Sequence, residues 1–375
     1  MSGRVSTVLV VAGFAIAAGA AQAEPIFLSR QYTRCITCHY SPTGGGLLTP
    51  YGRSLSRQEL STTGRSQPGH PPGNEEGFLW GALGKSLGPV QLGLVLRPAH
   101  LTVDFGGPAN LERNFFMNAD LLAAYQLKGF TLYGEVGRRP LNQGSEIDSY
   151  EYWVAHQSEQ GLGFRVGRFL PAYGIRVADH TAFTRRSLGF DTRDQVYGLE
   201  LSQTWQRHLL QLSVGPGRAD SILDDDGRHA FTATGRFQMD LSTRSVLVLS
   251  GLFRDASQLD PRSGAGGVAF GFAPTKRFSL WGEADAQFEQ GVSGGPAYTL
   301  FGEAGFEVWR GVWLKFSPQL RTALGEETNG LERLLFELEL FPRTHWNVDV
   351  SYYRDRNRES DRLTKTFLAQ LHLYI

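Results

Sequence analysis

Cys35, Cys38 and His39 are the residues whose types and spacing could do chemistry on their own. They stand in the run Cys35-Ile36-Thr37-Cys38-His39, and they hold both cysteines of the 375-residue chain. Two thiols separated by two residues, with an imidazole directly after, have the spacing of a c-type haem attachment site. Each thiol can add across one haem vinyl group as a thioether. The two-residue spacer lets both reach the same porphyrin edge, and the adjacent imidazole can swing beneath the ring to ligate iron. A zinc site requires four ligands, and no second cysteine pair exists. A thioredoxin-type redox pair expects a βαβ setting that this chain lacks. A plain disulfide is the bland alternative. The expectation is one covalent haem c on Cys35 and Cys38, with His39 as its metal ligand.

Haem attachment of this kind requires an exported chain. Arg4 supplies a positive start, "VLVVAGFAIAAGA" an apolar core, and Ala21-Gln22-Ala23 a small-x-small cleavage site. Residues 1–23 therefore read as a secretory signal peptide, with the mature chain beginning at Glu24. Cleavage lowers Lys+Arg from 37 to 36 against 37 Asp+Glu. A net charge near −1 leaves no footprint for nucleic acid.

The elements that must position the motif are strands. No mature segment approaches the ~20 apolar residues of a transmembrane helix, whereas period-two alternation recurs from residue 90 onward. In "RFSLWGEADAQF", Phe278, Leu280, Ala284, Ala286 and Phe288 oppose Ser279, Glu283, Asp285 and Gln287. In "HWNVDVSYY", Trp346, Val348, Val350 and Tyr352 oppose His345, Asn347, Asp349 and Ser351. A fully apolar face against a charged one, sustained for about ten residues, suits lipid outside and a wet lumen inside. Sixteen candidate strands follow between 90–104 and 363–375. Short turns near Gly129, Lys276, Gly311 and Thr344 alternate with longer polar loops, the asymmetry of outer-membrane barrels. Trp205, Trp309, Trp313 and Trp346 lie at or beside the short turns, as an interfacial aromatic belt predicts. The expected fold is an all-β transmembrane antiparallel barrel of about sixteen strands over 90–375. Residues 24–60 form a small haem-binding segment, and 61–89, including "GFLWGALGKSL" at 77–87, a linker or lumenal segment. Both ends of the barrel fall on the short-turn, periplasmic side.

Downstream of the motif, "YSPTGGG" reads as a flexible turn folding back over the haem edge, and Arg53 as a partner for a haem propionate or a solvated turn residue. The signal, one CxxCH, the stretch Leu48-Thr49-Pro50-Tyr51-Gly52-Arg53 and a sixteen-strand barrel together resemble the fused monohaem cytochrome–porin family. The resemblance implies electron transfer across the outer membrane. Members include iron oxidases, which makes Fe²⁺ the first candidate for an extracellular metal donor. A periplasmic electron carrier of cytochrome c or cupredoxin type would be the partner. The activity, if enzymatic, would be that of an oxidoreductase. The alternatives are a porin whose haem is structural, or electron flow out of the cell.

A barrel of this kind has an apolar band about 25 Å tall. A haem at the periplasmic mouth would be far from an external donor, so the N-terminal segment is expected to plug the lumen, which sixteen strands can accommodate. One CxxCH supplies one axial ligand. The other position falls to His, Met or water, from His70, His100, Met117, His156, His180, His208, His229, Met239, His345 and His372. His345 and His372 point inward by alternation near the periplasmic rim, and His180 lies in the longest loop. Glu283, Asp285, Glu303, Glu307, Glu337 and Glu339 fall on inward faces. They read either as a weak cation-attracting wall or as porin lining balanced by Arg165, Lys315 and Arg321.

Overall fold

The structure, a computed structural model, describes residues 25–63, 88–107, 110–140, 145–148, 151–190, 194–216, 231–256 and 261–375. The expected signal peptide, the 77–87 segment, His70 and His229 lie outside the described residues.

Alternating sequence becomes wall. The strand segments are β1 Val90–Asp104, β2 Asn110–Leu127, β3 Phe130–Pro140, β4 Ser145–Asp148, β5 Tyr152–Gln157, β6 Leu162–Phe169, β7 Val196–Trp205 and β8 His208–Gly215. They continue as β9 Thr232–Ser242, β10 Ser245–Arg254, β11 Ser263–Thr275, β12 Phe278–Glu289, β13 Ala297–Trp309, β14 Val312–Ala323, β15 Glu326–Leu340, β16 Trp346–Asn357 and β17 Leu363–Tyr374. Each pairs antiparallel with its neighbours. β4 and β5 both lie against β3 and make one strand of the wall in two pieces, so the seventeen segments form sixteen strands. β1 closes on β17 with Val95 opposite Tyr374 and His100 opposite Ala369. Closure leaves no unpaired edge.

The period-two reading holds in detail. On β12, Leu280 and Phe288 are exposed while Ser279, Glu283 and Asp285 are buried. On β16, Tyr352 is exposed and Asn347, Asp349 and Ser351 are buried. Leu121, Val166, Leu201, Leu314, Phe336 and Phe367 continue the apolar exterior around the wall. An apolar surface so continuous is stable against lipid, not water. No helix among the described residues is long and apolar enough to cross a membrane.

Among the described residues, two pieces of chain occupy the interior. The first is the N-terminal segment, with α1 (Pro25–Ser29), a 3₁₀ turn (Cys35–Thr37) and α2 (Pro50–Leu55) running into a π-helical turn (Ser56–Leu60). Leu28 packs with Val246, Val248, Ala269, Trp281 and Phe301 of the wall. Tyr40 and Leu47 pack with Leu122, Ala124, Tyr133 and Trp153. Ile26 and Leu60 pack on Trp313 and Phe341. Trp313 thus departs from the expected belt. Trp205 and Trp309 face outward, but Trp313 is fully buried against the segment. Alternation puts it on the lumen side, and a Trp there survives because apolar side chains cover it.

The second piece is the loop between β6 and β7, described over residues 170–190 and 194–195. It folds inward, with a short α3 (Phe183–Arg186) and with Ile175 and Val177 in the same cluster as Leu28. Wall carboxylates hold it. Glu283 accepts from the Ile175 amide at 3.0 Å, and Asp285 from the Tyr173 hydroxyl at 2.9 Å. Arg333 donates to the Thr181 carbonyl at 3.0 Å and to both Asp355 oxygens at 2.8 Å.

Candidate haem site

The motif turns tightly. The amides of Cys38 and His39 both donate to the Cys35 carbonyl, at 3.0 and 2.9 Å. In a 3₁₀ turn, side chains three apart eclipse, so Cys35 and Cys38 present their sulfurs on one face. They are not bridged to each other. The chain then reverses, with Tyr40 donating to the Leu47 carbonyl at 3.1 Å and His39 bridging to Leu48.

The reversal is not the loose hinge that "YSPTGGG" suggested. Gly44, Gly45 and Gly46 all have positive φ, at 82°, 74° and 62°, a conformation that glycine alone adopts at no steric cost. Each is also packed. A Cβ on Gly44 would lie 3.2 Å from the Cys35 sulfur, and one on Gly45 2.7 Å from the Arg176 guanidinium. One on Gly46 would collide with the Tyr133 hydroxyl. Arg176, from the inward loop, completes the clamp by donating to the Gly44 carbonyl and to Thr43 Oγ1.

Leu48–Arg53 braces the other side. The Thr49 amide donates to the Cys38 carbonyl at 2.8 Å, and its hydroxyl caps α2 by accepting from the Gly52 amide at 3.1 Å. This is an ordinary N-cap followed by Pro at the first helical position. A Cβ on Gly52 would run into the Cys38 carbonyl. Arg53 is not a solvated turn residue. It is 3% exposed and donates to the Leu92 carbonyl of β1, fastening the segment to the wall.

Burial sets the protonation of the motif. It pushes the Cys38 thiol up to about 12, with the neighbouring Cys35 adding to the effect. His39 is pulled down to about 4, first by burial and then by the Arg176 cation. The imidazole is therefore neutral, the form that ligates a metal. The Gly45 and Gly46 backbone lies within reach of the ring and offsets part of that shift, while Nδ1 itself is buried without a hydrogen bond of good geometry.

Cys35, Cys38 and His39 line a cavity of about 720 Å³ between the segment, the inward loop and the wall. That volume lies within the roughly 300–1,000 Å³ of sites for cofactors and small ligands. Leu48, Leu101, Phe115 and Leu122 give it apolar surface, and Arg97 and Arg176 line it with cations. Two unbridged thiols three residues apart, a neutral buried imidazole and an adjoining void fit a haem. Among the described residues no cluster of three or more His, Cys, Asp or Glu offers a rival metal site.

Of the candidates for the second axial position, Met117, His180 and His372 line this cavity. His345 is fully buried beside Tyr374 but outside the cavity lining. His156 packs with Phe130 and Phe164, and His208 with Phe237 and Trp205, away from it. His100 is held by Asn114 and Thr102.

The inward carboxylates do not stand as an open acidic wall. Glu283 and Asp285 hold the inward loop. Glu307 pairs with Arg30 of the N-terminal segment at 2.7 Å, and Glu337 and Glu339 share Lys315 at 2.8 Å each. Arg165 pairs with Glu200 at 2.9 Å and donates to Ser41. Arg176 and Tyr133, which shape the glycine turn, carry no local sequence signal. Only the length of the 170–195 loop hinted that it would reach inward.

No protein-family model matches the sequence, and no curated protein does. Solved structures are similar in fold. OprB of Pseudomonas putida aligns with a TM-score of 0.61 at 7% identity, over 76% of this chain and 94% of its own. OmpT of Vibrio cholerae aligns at 0.55 and 10%, over 76% and 97%. The anion-selective porin of Comamonas acidovorans aligns at 0.54 and 9%, over 76% and 99%. The barrel is that of the outer-membrane porins.

Proposed function

We propose that the chain is an outer-membrane barrel whose lumen carries a covalent monohaem c segment, moving electrons between an extracellular donor and a periplasmic carrier. Fe²⁺ is the first candidate donor. The observation that carries this reading is the placement of Cys35, Cys38 and His39 on a cavity inside a porin-type wall. Cys35 and Cys38 would hold the porphyrin edge, each S–H adding across a vinyl C=C with its hydrogen passing to carbon, so no oxidant is consumed. His39 would ligate iron through its neutral ring. When bound, the haem would supply a one-electron redox centre. The chain's own contribution is to hold the axial ligand rigidly and to fill the lumen against free diffusion. The fold and the apolar exterior support an outer-membrane location, in which the short turns and both barrel ends would face the periplasm.

Two measurements test the reading. Denatured protein on a gel should keep haem peroxidase stain, and Cys35→Ala with Cys38→Ala should remove it; retained stain sinks the haem assignment. Stopped-flow mixing of the purified protein with Fe²⁺ should then produce the reduced haem spectrum. A second reading, a porin-type barrel whose haem is structural, is favoured by the engagement of the wall carboxylates with the loop, the segment and Lys315. A haem that stains but stays oxidised under Fe²⁺ would select it.

A further inference from the structure

The mouth of the barrel at its short turns has a charge pattern that the haem site does not use. The tight turns there carry Lys128, Arg207, Arg244, Lys276, Arg277 and Arg343, with Glu159 as the one acid among them. Lys128, Arg207, Lys276, Arg277 and Arg343 are exposed. The N-terminal segment reaches the same rim. Arg34 donates to the Gln206 carbonyl at 2.9 Å, Arg30 to the Lys276 carbonyl, and Thr63 to the Pro342 carbonyl at 2.8 Å. The segment's acids add little negative charge, since Glu59 pairs with Arg30 at 3.5 Å. Inside this ring, two apolar side chains of the segment are exposed: Ile36, between the two cysteines, and Tyr51, which stacks edge-on with Tyr32. Neither lines the cavity. Both are exposed on a segment that is fastened to the short turns through Arg30, Arg34 and Thr63.

An apolar centre within a ring of one charge is the layout of a docking surface, in which the centre excludes water and the ring steers and selects. We infer that the short-turn mouth docks an acidic soluble electron carrier, whose apolar contact face meets Ile36 and Tyr51 and whose carboxylates meet the turn cations. The inference rests on the electron-transfer reading and names its partner. Anionic lipid is the competing occupant of the cations. It would meet the outer perimeter marked by Trp205 and Trp309, not the centre, and it leaves Ile36 and Tyr51 unexplained.

The test is binding of two purified probes to the haem-loaded, detergent-solubilised protein by surface plasmon resonance. The probes are plastocyanin, an acidic copper protein, and mitochondrial cytochrome c, a basic one. Wild type should bind the acidic probe and not the basic one. The fourfold variant Lys128→Glu, Arg207→Glu, Lys276→Glu, Arg277→Glu should bind the acidic probe at least about tenfold more weakly at ~0.01 M salt. The difference should vanish near 1 M, where screening acts over about 3 Å. Tyr51→Ala should weaken binding at both salts. Heat-modifiable migration in SDS checks that the variants fold. Equal binding of the acidic probe by wild type and the fourfold variant overturns the inference, as does preference of wild type for the basic probe. Unchanged probe binding with lost binding to phosphatidylglycerol vesicles assigns the cations to lipid and also overturns it. Haem staining of the same samples separates the two ideas. A haem-loaded chain that binds neither probe overturns the docking surface alone. A haem-free chain that binds the acidic probe overturns the haem reading and leaves the surface standing.

Discussion

The glycines of the motif region do their work through the atoms that approach them. Gly52 lets α2 sit directly on the Cys38 carbonyl, and Gly46 lets the turn meet the Tyr133 hydroxyl at a φ of 62°. Gly52→Ala should therefore push α2 off the cysteine turn, at roughly 1–3 kcal/mol for a small-to-large change in a packed site. Limited proteolysis should cut the 25–63 segment faster in this variant than in wild type, with the barrel intact. Unchanged cleavage would mean that the helix shifts without loss of seating. The motif residues stood out in the sequence because their spacing is a chemical requirement, all within the five residues from Cys35 to His39. The supporting contacts did not. Arg176 and Tyr133 reach Gly45 and Gly46 across more than 80 residues, and "YSPTGGG" in isolation reads as slack. Arg53 likewise has no sequence mark to separate a propionate partner from a side chain that fastens the segment to Leu92.

At the scale of elements, strands were legible where one face meets lipid and the other the lumen, because the alternation is then two-sided. The same rule failed for Trp313. Girdle tryptophans and buried tryptophans look alike beside a turn, and only the arrival of Ile26 and Leu60 decides between them. Inward carboxylates were legible by alternation, but their partners were not, since Glu283 and Ile175 are 108 residues apart. The inward loop is held by a few such bonds and can be tested through them. Arg333→Ala removes the donor to Thr181 and leaves Asp355 without its bidentate partner. Truncating one side of a fully buried pair costs about 3 kcal/mol or more, and the cost here is smaller because the Asp355 side chain is 25% exposed. Single-channel recordings in planar bilayers should show larger or noisier conductance for Arg333→Ala than for wild type. An identical conductance would mean that Glu283 and Asp285 suffice to hold the loop.

For the whole molecule, closure through β1 and β17 predicts a barrel that survives SDS until heated and gives a β-type circular dichroism spectrum. A mainly helical spectrum, or migration unaffected by heating, would contradict the sixteen-strand wall. The fold class was open to sequence reasoning because a closed wall that is antiparallel throughout needs an even strand count and both ends on one rim, and each can be checked by counting. The filled lumen was an inference from size alone. Its seating depends on contacts scattered over the wall, from Leu92 to Phe341, and no local pattern announces them.

Those scattered contacts impose a timetable. The residues that grip the N-terminal segment include Glu307, Trp313 and Phe341, which leave the ribosome long after Cys35 and Cys38. The earliest described part of the chain is thus the last to find its place, and contacts of such long range form slowly. Until β17 meets β1, the segment has no interior to enter, and its two thiols stay accessible. Afterwards Cys38 is 7% exposed and burial raises its thiol's pKa. A group joined to Cys38 would therefore be joined most readily before the wall closes, so the order of attachment and zipping bears on how this chain matures.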